Sequence, residues 1–235
     1  MLQDLFPSPL SELAGYALPG AAFAGALVTV LLVYALARTA GGAVPVHTLL
    51  LAGVIVSAVL GSILMFLVSI APSENLHSVV WWLLGNLQVF DWGLLRAVAA
   101  VVATGTIVSV LLARDLNLMT LGEEPAAHLG LHVERAKKVF FVLASLMTGA
   151  TVGACGLIGF VGLIVPHSVR LAVGADHRRL VPASALAGAT FLVLADAFAR
   201  TAISPLEIPI GVIAALLGGP FFLVLLKRRK SAYGR

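Results

Sequence analysis

Few side chains in this 235-residue sequence could do covalent or redox chemistry, and their spacing suits none of the usual reactions. The six histidines (His47, His77, His128, His132, His167, His177) fall mainly where apolar segments begin or end. His128 and His132 are four apart, a spacing that can share one helix face. Gly130 between them is a residue type that ends helices, so the pair makes a poor metal site, and no metal centre is expected. Cys155 is the only cysteine and lies in an apolar run. It can form no internal disulfide and reads as a small packing residue. There is no Gly-x-x-x-x-Gly-Lys-Ser/Thr loop to cradle phosphates, no His-Glu-x-x-His helix and no nucleophile elbow. Asp196 is the one acid near an apolar segment that could serve a proton relay, and it stands four residues before Arg200. That spacing favours an ion pair at a helix end over a relay. No catalytic residue is assigned.

The elements that position these residues follow from composition. The chain is 60% hydrophobic and 11% charged, with a mean hydropathy of +1.05. Soluble domains carry about 25% charged residues, so a soluble core is excluded. The net charge of +4 does not mark a nucleic-acid binder, because the bases flank apolar segments rather than forming one aromatic-rich face. Residues 1–12 carry Asp4 and Glu12 and no basic region, unlike a cleavable signal. A membrane helix needs about 20 apolar residues. Gaps between charges then predict spans at 13–37, 48–70, 97–113, 139–157, a shorter return limb from 157 to Arg170, 180–199 and 209–226. A turn at Gly41, Gly42 and Pro45 separates the first two. The expected fold is all-α: one polytopic membrane bundle over 1–235, with about seven spans plus short interfacial and coupling helices.

Charge placement sets the orientation. If the first span runs from outside to inside, all but Arg96 and Arg200 of the 15 Lys and Arg residues fall in inside loops or the carboxyl-terminal tail, as the positive-inside bias requires. The amino terminus is then outside and the carboxyl terminus cytoplasmic. Such a start needs an odd number of upstream spans, so the chain reads as the back part of a longer protein.

Two segments do not span. Residues 76–90, with Trp81 and Trp82, predict a short interfacial or re-entrant helix on the outer side. The inside loop 115–138 is the longest polar stretch. Thr120 with Glu123 three residues on has the form of a capping box, predicting a helix of two to three turns from Leu121. Glu123 and Glu124 suit its first turn, and Gly130 suits its end. A capped, stiff knob of this kind is what a soluble partner could grip. A third stretch, 153–182, is punctured by Gly153, Gly156, Gly159 and Gly162 before Pro166, His167 and the bases Arg170, Arg178 and Arg179. Interior glycines weaken a soluble helix by about 1 kcal/mol each, yet in a membrane they let backbones pack closely. A tight hairpin is expected, with Pro166 and His167 ending its return limb.

Several motifs then converge: Leu121-Gly122-Glu123 with Leu129-Gly130, Gly159-Phe160-Val161-Gly162-Leu163, Pro166-His167, Asp176-His177-Arg178, Ala195-Asp196 with Arg200, and Glu207 to Gly211. Over nearly its whole length the sequence resembles the permease subunits of type II ABC importers, which take up iron–siderophore chelates, haem and cobalamin. The resemblance implies ten spans per subunit, of which this chain matches the fourth to the tenth. It implies a dimer with a second permease subunit, identical or not, an ABC ATPase dimer that holds ATP and Mg, and an extracytoplasmic substrate-binding protein. No cofactor is expected in this chain itself. The location implied is the bacterial cytoplasmic (inner) membrane.

By the same resemblance, Thr120, Leu121, Gly122, Glu123, Glu124, Ala127, Leu129 and Gly130 belong to the helix that couples to the ATPase. Arg200 matches an outer arginine that docks the binding protein, and Val46 and His47 match the cytoplasmic gate. Helices 48–70 and 76–90 would line the pathway. Gly159, Gly162, Pro166, His167 and Arg170 form a structural signature turn. The expected function is import of a ferric siderophore or related metal chelate by alternating access. Haem or cobalamin import within the same family is the nearest alternative. An ion-coupled secondary transporter is a more distant one, lacking a convincing coupling acid in the spans.

Overall fold

The computed structural model describes residues 9–38, 44–71, 73–89, 91–203 and 205–233. These form ten helices: α1 (Pro9–Ala37), α2 (Val46–Ile70), α3 (Ser73–Leu84), α4 (Trp92–Leu111), α5 (Ala113–Met119), α6 (Glu123–His128), α7 (Val133–Cys155), α8 (Val161–Val173), α9 (His177–Thr201) and α10 (Ile210–Tyr233). Apart from an isolated bridge between Ile203 and Leu206, the described residues contain no β-structure. The chain is an all-α membrane bundle. Stretches of α1 (from Pro19), α2, α4, α7 and α9 are long and apolar enough to cross a bilayer, while Val161–Val173 and Ile210–Phe221 are shorter apolar stretches. All seven expected crossings are therefore helical, five of them at full length. Gly41 and Gly42 of the expected first turn lie outside the described residues.

Where the sequence reading placed a boundary at a charge, local capping moves it. The third span begins at Trp92, not 97, because the Asp91 carboxylate accepts hydrogen bonds from the Gly93 N–H (2.5 Å) and the Leu94 N–H (2.9 Å). This satisfies donors that the first turn leaves without helical partners. Arg96 then sits inside the helix, its Nε donating to the Trp92 carbonyl. The expected 76–90 helix runs instead from Ser73 to Leu84. It stops at Gly85, which has a φ of +77°, a conformation open to glycine at little cost.

The chain divides into two compact units. One comprises residues 1–79, 91–102 and 132–154. Here α1 packs on α2 around Ala37, Val44 and Ala52, supported by Val33, Tyr34 and Leu49. The Tyr34 ring lies 5.8 Å from that of Phe141 on α7. Small residues bring α7 onto α1: a Cβ at Gly149 would lie 3.2 Å from the Ala26 Cβ, and one at Gly153 would lie 3.0 Å from the Pro19 carbonyl oxygen.

The other unit comprises residues 80–90, 103–131 and 155–235. Its α9 packs against α5, α8 and α10, with Ala195, Ala199, Ile210 and Ile213 at the centre. Three backbones cross here. A side chain at Gly156 (φ +71°) would run into the Trp82 carbonyl, one at Gly85 into the Leu157 carbonyl, and one at Gly211 into the Leu84 carbonyl. The Asn86 N–H donates to the Cys155 carbonyl at 2.8 Å, closing the crossing.

The glycine-rich stretch is thus only partly what its spacing suggests. Gly153 and Gly156 sit at close approaches, whereas Gly159 and Gly162 have nothing within 4 Å of where a Cβ would stand. Pro166 and His167 do not end the return limb. Pro166 lies inside α8, which continues to Val173 and stops at Gly174 with a φ of +87°. In the interior of α8 the proline ring keeps φ near the helical value but removes one hydrogen bond and crowds the preceding turn, which bends a helix without having to end it.

Candidate functional site

The polar loop after α4 is built as a sequence of short rigid pieces. α5 follows α4 after a break at Leu112, and three turn hydrogen bonds then tie Thr120 to Asn117 (3.2 Å), Leu121 to Leu118 (3.1 Å) and Gly122 to Met119 (3.2 Å). These turns override the expected capping box. The Thr120 hydroxyl donates back to the Asn117 carbonyl at 2.7 Å, and α6 starts at Glu123 with Gly122 in its N-cap position and no side-chain cap. Gly122 has a φ of +106°, which a residue with a side chain rarely adopts. At the other end Gly130 (φ +87°) terminates α6 as expected. Its N–H bonds to the Ala127 carbonyl (2.9 Å) and the Leu131 N–H to the Ala126 carbonyl (3.1 Å), a paired closure typical of a left-handed C-terminal residue. α6 is six residues long, shorter than the two to three turns expected.

Within residues 120–130 only Ala126 is buried. Leu121 and Leu129, at the two ends of this helix, are 59% and 56% exposed. Glu123 and Glu124 lie between them in the first turn. α6 is thus a short, doubly terminated helix with an exposed leucine at each end and two acids in its first turn.

α5 makes a joint that the sequence did not announce. The Asn117 Nδ2 donates to Asp176 Oδ1 at 2.7 Å. Its Oδ1 accepts from the His177 N–H at 2.9 Å and faces the His177 Nδ1 at 2.7 Å. With a carbonyl oxygen as acceptor, that ring nitrogen carries a proton. Asp176 is at the same time the N-cap of α9, accepting from the Arg178 N–H at 3.0 Å. The Asn117 amide, followed by the Arg178 N–H, holds the Asp176 carboxyl below its ordinary range.

The expected gate turn belongs to the first unit. Val44 is buried, Pro45 is the extended N-cap of α2, and Val46 and His47 are exposed at the helix start. From α7, Glu134 Oε2 accepts the Val44 N–H at 3.3 Å, and Lys137 Nζ reaches the Val44 carbonyl at 3.5 Å. The two side chains are themselves paired at 3.1 Å. One i, i+3 ion pair therefore clips both backbone groups of the residue just before the turn.

On α9, Arg200 and Asp196 form the expected pair, side-on: Nε to Oδ2 at 2.8 Å, and a second guanidinium nitrogen to Oδ1 at 3.3 Å. They border a cavity of about 20 Å³ shared with Trp81, Asn86 and Glu207, room for about one water. Gln88 Nε2 donates to Glu207 at 3.2 Å. In the signature turn, Phe160 takes a left-handed φ of +66° as the N-cap of α8 and packs so closely on Gly218 that a Cβ there would collide with it. His167 meets Phe221 edge-on at 6.1 Å. Arg170 is exposed in the last turn of α8, where a cation complements the helix dipole.

Comparison with known proteins matches residues 5–228 to the FecCD transport family. The chain belongs to that family. Among FecCD relatives, it is 48% identical over 211 residues to a cobalamin import system permease of Halobacterium salinarum, covering 89% of this chain and 56% of that protein. It is 39% identical to a hemin transport system permease of Yersinia pestis (89% and 62% covered) and 39% identical to an Fe(3+) dicitrate transport system permease of Escherichia coli (91% and 65%). The chain thus spans less than two thirds of the length of each. A solved metal-chelate-type ABC transporter in an inward-facing conformation superimposes with a TM-score of 0.77 at 30% identity, over 90% of this chain and 73% of that one.

Proposed function

We propose that this chain is the transmembrane permease part of an ATP-driven ABC importer of metal chelates in the cytoplasmic (inner) membrane. In this reading a second permease subunit completes the pathway. A separate ATPase dimer binds ATP and Mg and works on α6, and an extracytoplasmic protein delivers cargo beside Arg200. The basic loops face the cytoplasm, and the amino-terminal end of the chain lies outside. Val46 and His47 form the cytoplasmic gate, with α2 and α3 along the pathway. No covalent chemistry occurs here: hydrolysis in the partner moves α6, and the pathway opens outward and then inward.

The observation that carries this reading is α6 itself. A helix stopped by glycine at both ends, with Leu121 and Leu129 exposed and two acids between, gives a partner both apolar grip and charge. Its rigidity lets force pass to the spans. Changing Glu123 and Leu129 together to Lys and Arg in the complete transporter should abolish ATPase stimulation and uptake. Transport at the unmodified rate would refute the coupling role.

The cargo is a ferric siderophore or related chelate on the family resemblance. The 48% identity to a cobalamin permease favours cobalamin as the second reading. Uptake of labelled cobalamin, haemin and ferric chelates into vesicles holding the complete transporter and its binding protein separates them.

A further inference from the structure

The geometry points to Asn117 as the positioning residue through which movement of α6 reaches α9. This rests on the coupling role proposed for α6. The passage from α5 to α6 is stiff: its three consecutive turn hydrogen bonds and the glycine-only start of α6 leave no free linker between Asn117 and Glu123. A displacement of α6 is therefore passed directly to α5. Among the described residues, every side-chain hydrogen bond from α5 to the start of α9 is made by Asn117. What it holds is not a loop but the N-cap and first residue of a 25-residue helix. At 1.5 Å per residue α9 extends about 36 Å, and its far end carries Asp196 and Arg200. One helix thus links the ATPase-side joint to the residue proposed to dock the binding protein.

The chemistry of the joint asks for asparagine. A short side chain must offer a donor to Asp176 and an acceptor with two lone pairs to His177, and the primary amide supplies both. Aspartate can accept but not donate, and it would set a second carboxylate against Asp176. Leucine matches the shape and offers neither group. A residue that only stabilised the fold would affect all activities together, whereas a joint should affect communication alone. Mutations along coupling elements change coupling by about 2- to 30-fold.

The test uses the complete transporter, with its ATPase and binding protein, in lipid vesicles. Basal ATP hydrolysis and its stimulation by the loaded binding protein are read separately. Asn117→Leu and Asn117→Asp should each lower stimulation about 2- to 30-fold while basal hydrolysis persists. The exchanged pair Asn117→Asp with Asp176→Asn restores a donor opposite an acceptor and should recover stimulation. Wild-type stimulation in Asn117→Leu overturns the proposal. So does a parallel fall of basal and stimulated hydrolysis, or an exchanged pair no better than Asn117→Asp alone. Leu129→Arg separates the two levels: if it leaves stimulation intact, the coupling role of α6 has failed. If it abolishes stimulation while Asn117→Leu does not, only the joint has failed.

Discussion

Four glycines three residues apart should respond very differently to alanine, and the contrast tests the backbone crossing directly. At Gly156 the substitution places an L-residue at a φ of +71°, costing about 1–2 kcal/mol. Its Cβ also collides with the Trp82 carbonyl. That carbonyl cannot retreat freely, because it accepts the Gly85 N–H at 3.2 Å and Gly85 stands 3.2 Å from the same Cβ. Overpacking of this kind costs about 1–3 kcal/mol, giving roughly 2–5 kcal/mol in all. At about 2–4 °C per kcal/mol for a chain of this size, the melting midpoint falls by roughly 4–20 °C. Gly153→Ala meets the Pro19 carbonyl at 3.0 Å inside α7, but gains about 1 kcal/mol of helix propensity, so its net cost is smaller. Gly159→Ala meets nothing and should stay within about 0.5 kcal/mol. Gly162→Ala, in the first turn of α8 with open space around it, should raise the midpoint slightly. Thermal unfolding in detergent can be followed by a thiol-reactive fluorophore on Cys155, the only cysteine, and independently by the fluorescence of the three tryptophans. If Gly156→Ala and Gly159→Ala melt together by both probes, the backbones do not cross at Gly156 and the reasoning fails.

Other residues make narrower tests. Glu134→Ala removes the acceptor of the Val44 N–H, a contact worth about 1 kcal/mol. Hydrogen exchange at Val44 should rise about 5-fold, and unchanged exchange would show that Glu134 does not hold the turn. Arg200→Glu should weaken binding-protein affinity most at low salt, measured by titration against the vesicle-bound transporter. Asp196→Asn should change stability by less than about 1 kcal/mol, because the pair is partly exposed (38% and 25%). A carboxyl with a lowered pKa stabilises above its unfolded value and loses that contribution as pH falls through the folded one. The joint at Asp176 should therefore hold above the ordinary aspartate range and loosen only as pH falls below it, read from exchange at His177 corrected for intrinsic rate.

Membrane helices are legible because lipid tolerates few charges within a span, so gaps between charges mark them. The reading places α2, α9 and the ends of α1 and α7 within about three residues of the structure. It fails where a side chain or a glycine, rather than the bilayer, decides the boundary. Asp91 starts α4 five residues early, Gly85 cuts α3 short, and the turn at Thr120 diverts the hydroxyl that looked like a cap. The candidate site divides in the same way. The termination of α6 at Gly130 and the pairing of Asp196 with Arg200 are local patterns, visible at spacings of a few residues. The Asn117 joint spans 59 residues of sequence and the Glu134 clip spans 90, and no local periodicity encodes a partner so far away. The one available signal was Asn117 itself, an amide set between Leu116 and Leu118.

The crossing of Gly85, Gly156 and Gly211 also bears on how the molecule is assembled. Its three strands of backbone lie far apart in the order of synthesis, and Gly211 at the start of α10 arrives last. Until that helix docks, the carbonyls of Leu84 and Leu157 lack the backbone that closes over them, and Ala195 and Ala199 lack Ile210 and Ile213. The second unit can therefore lock only once Ile210 to Ile213 have been made and have docked. A chain halted before residue 211 would hold its long spans in the membrane with an open seam, which is the state a quality-control protease should recognise first.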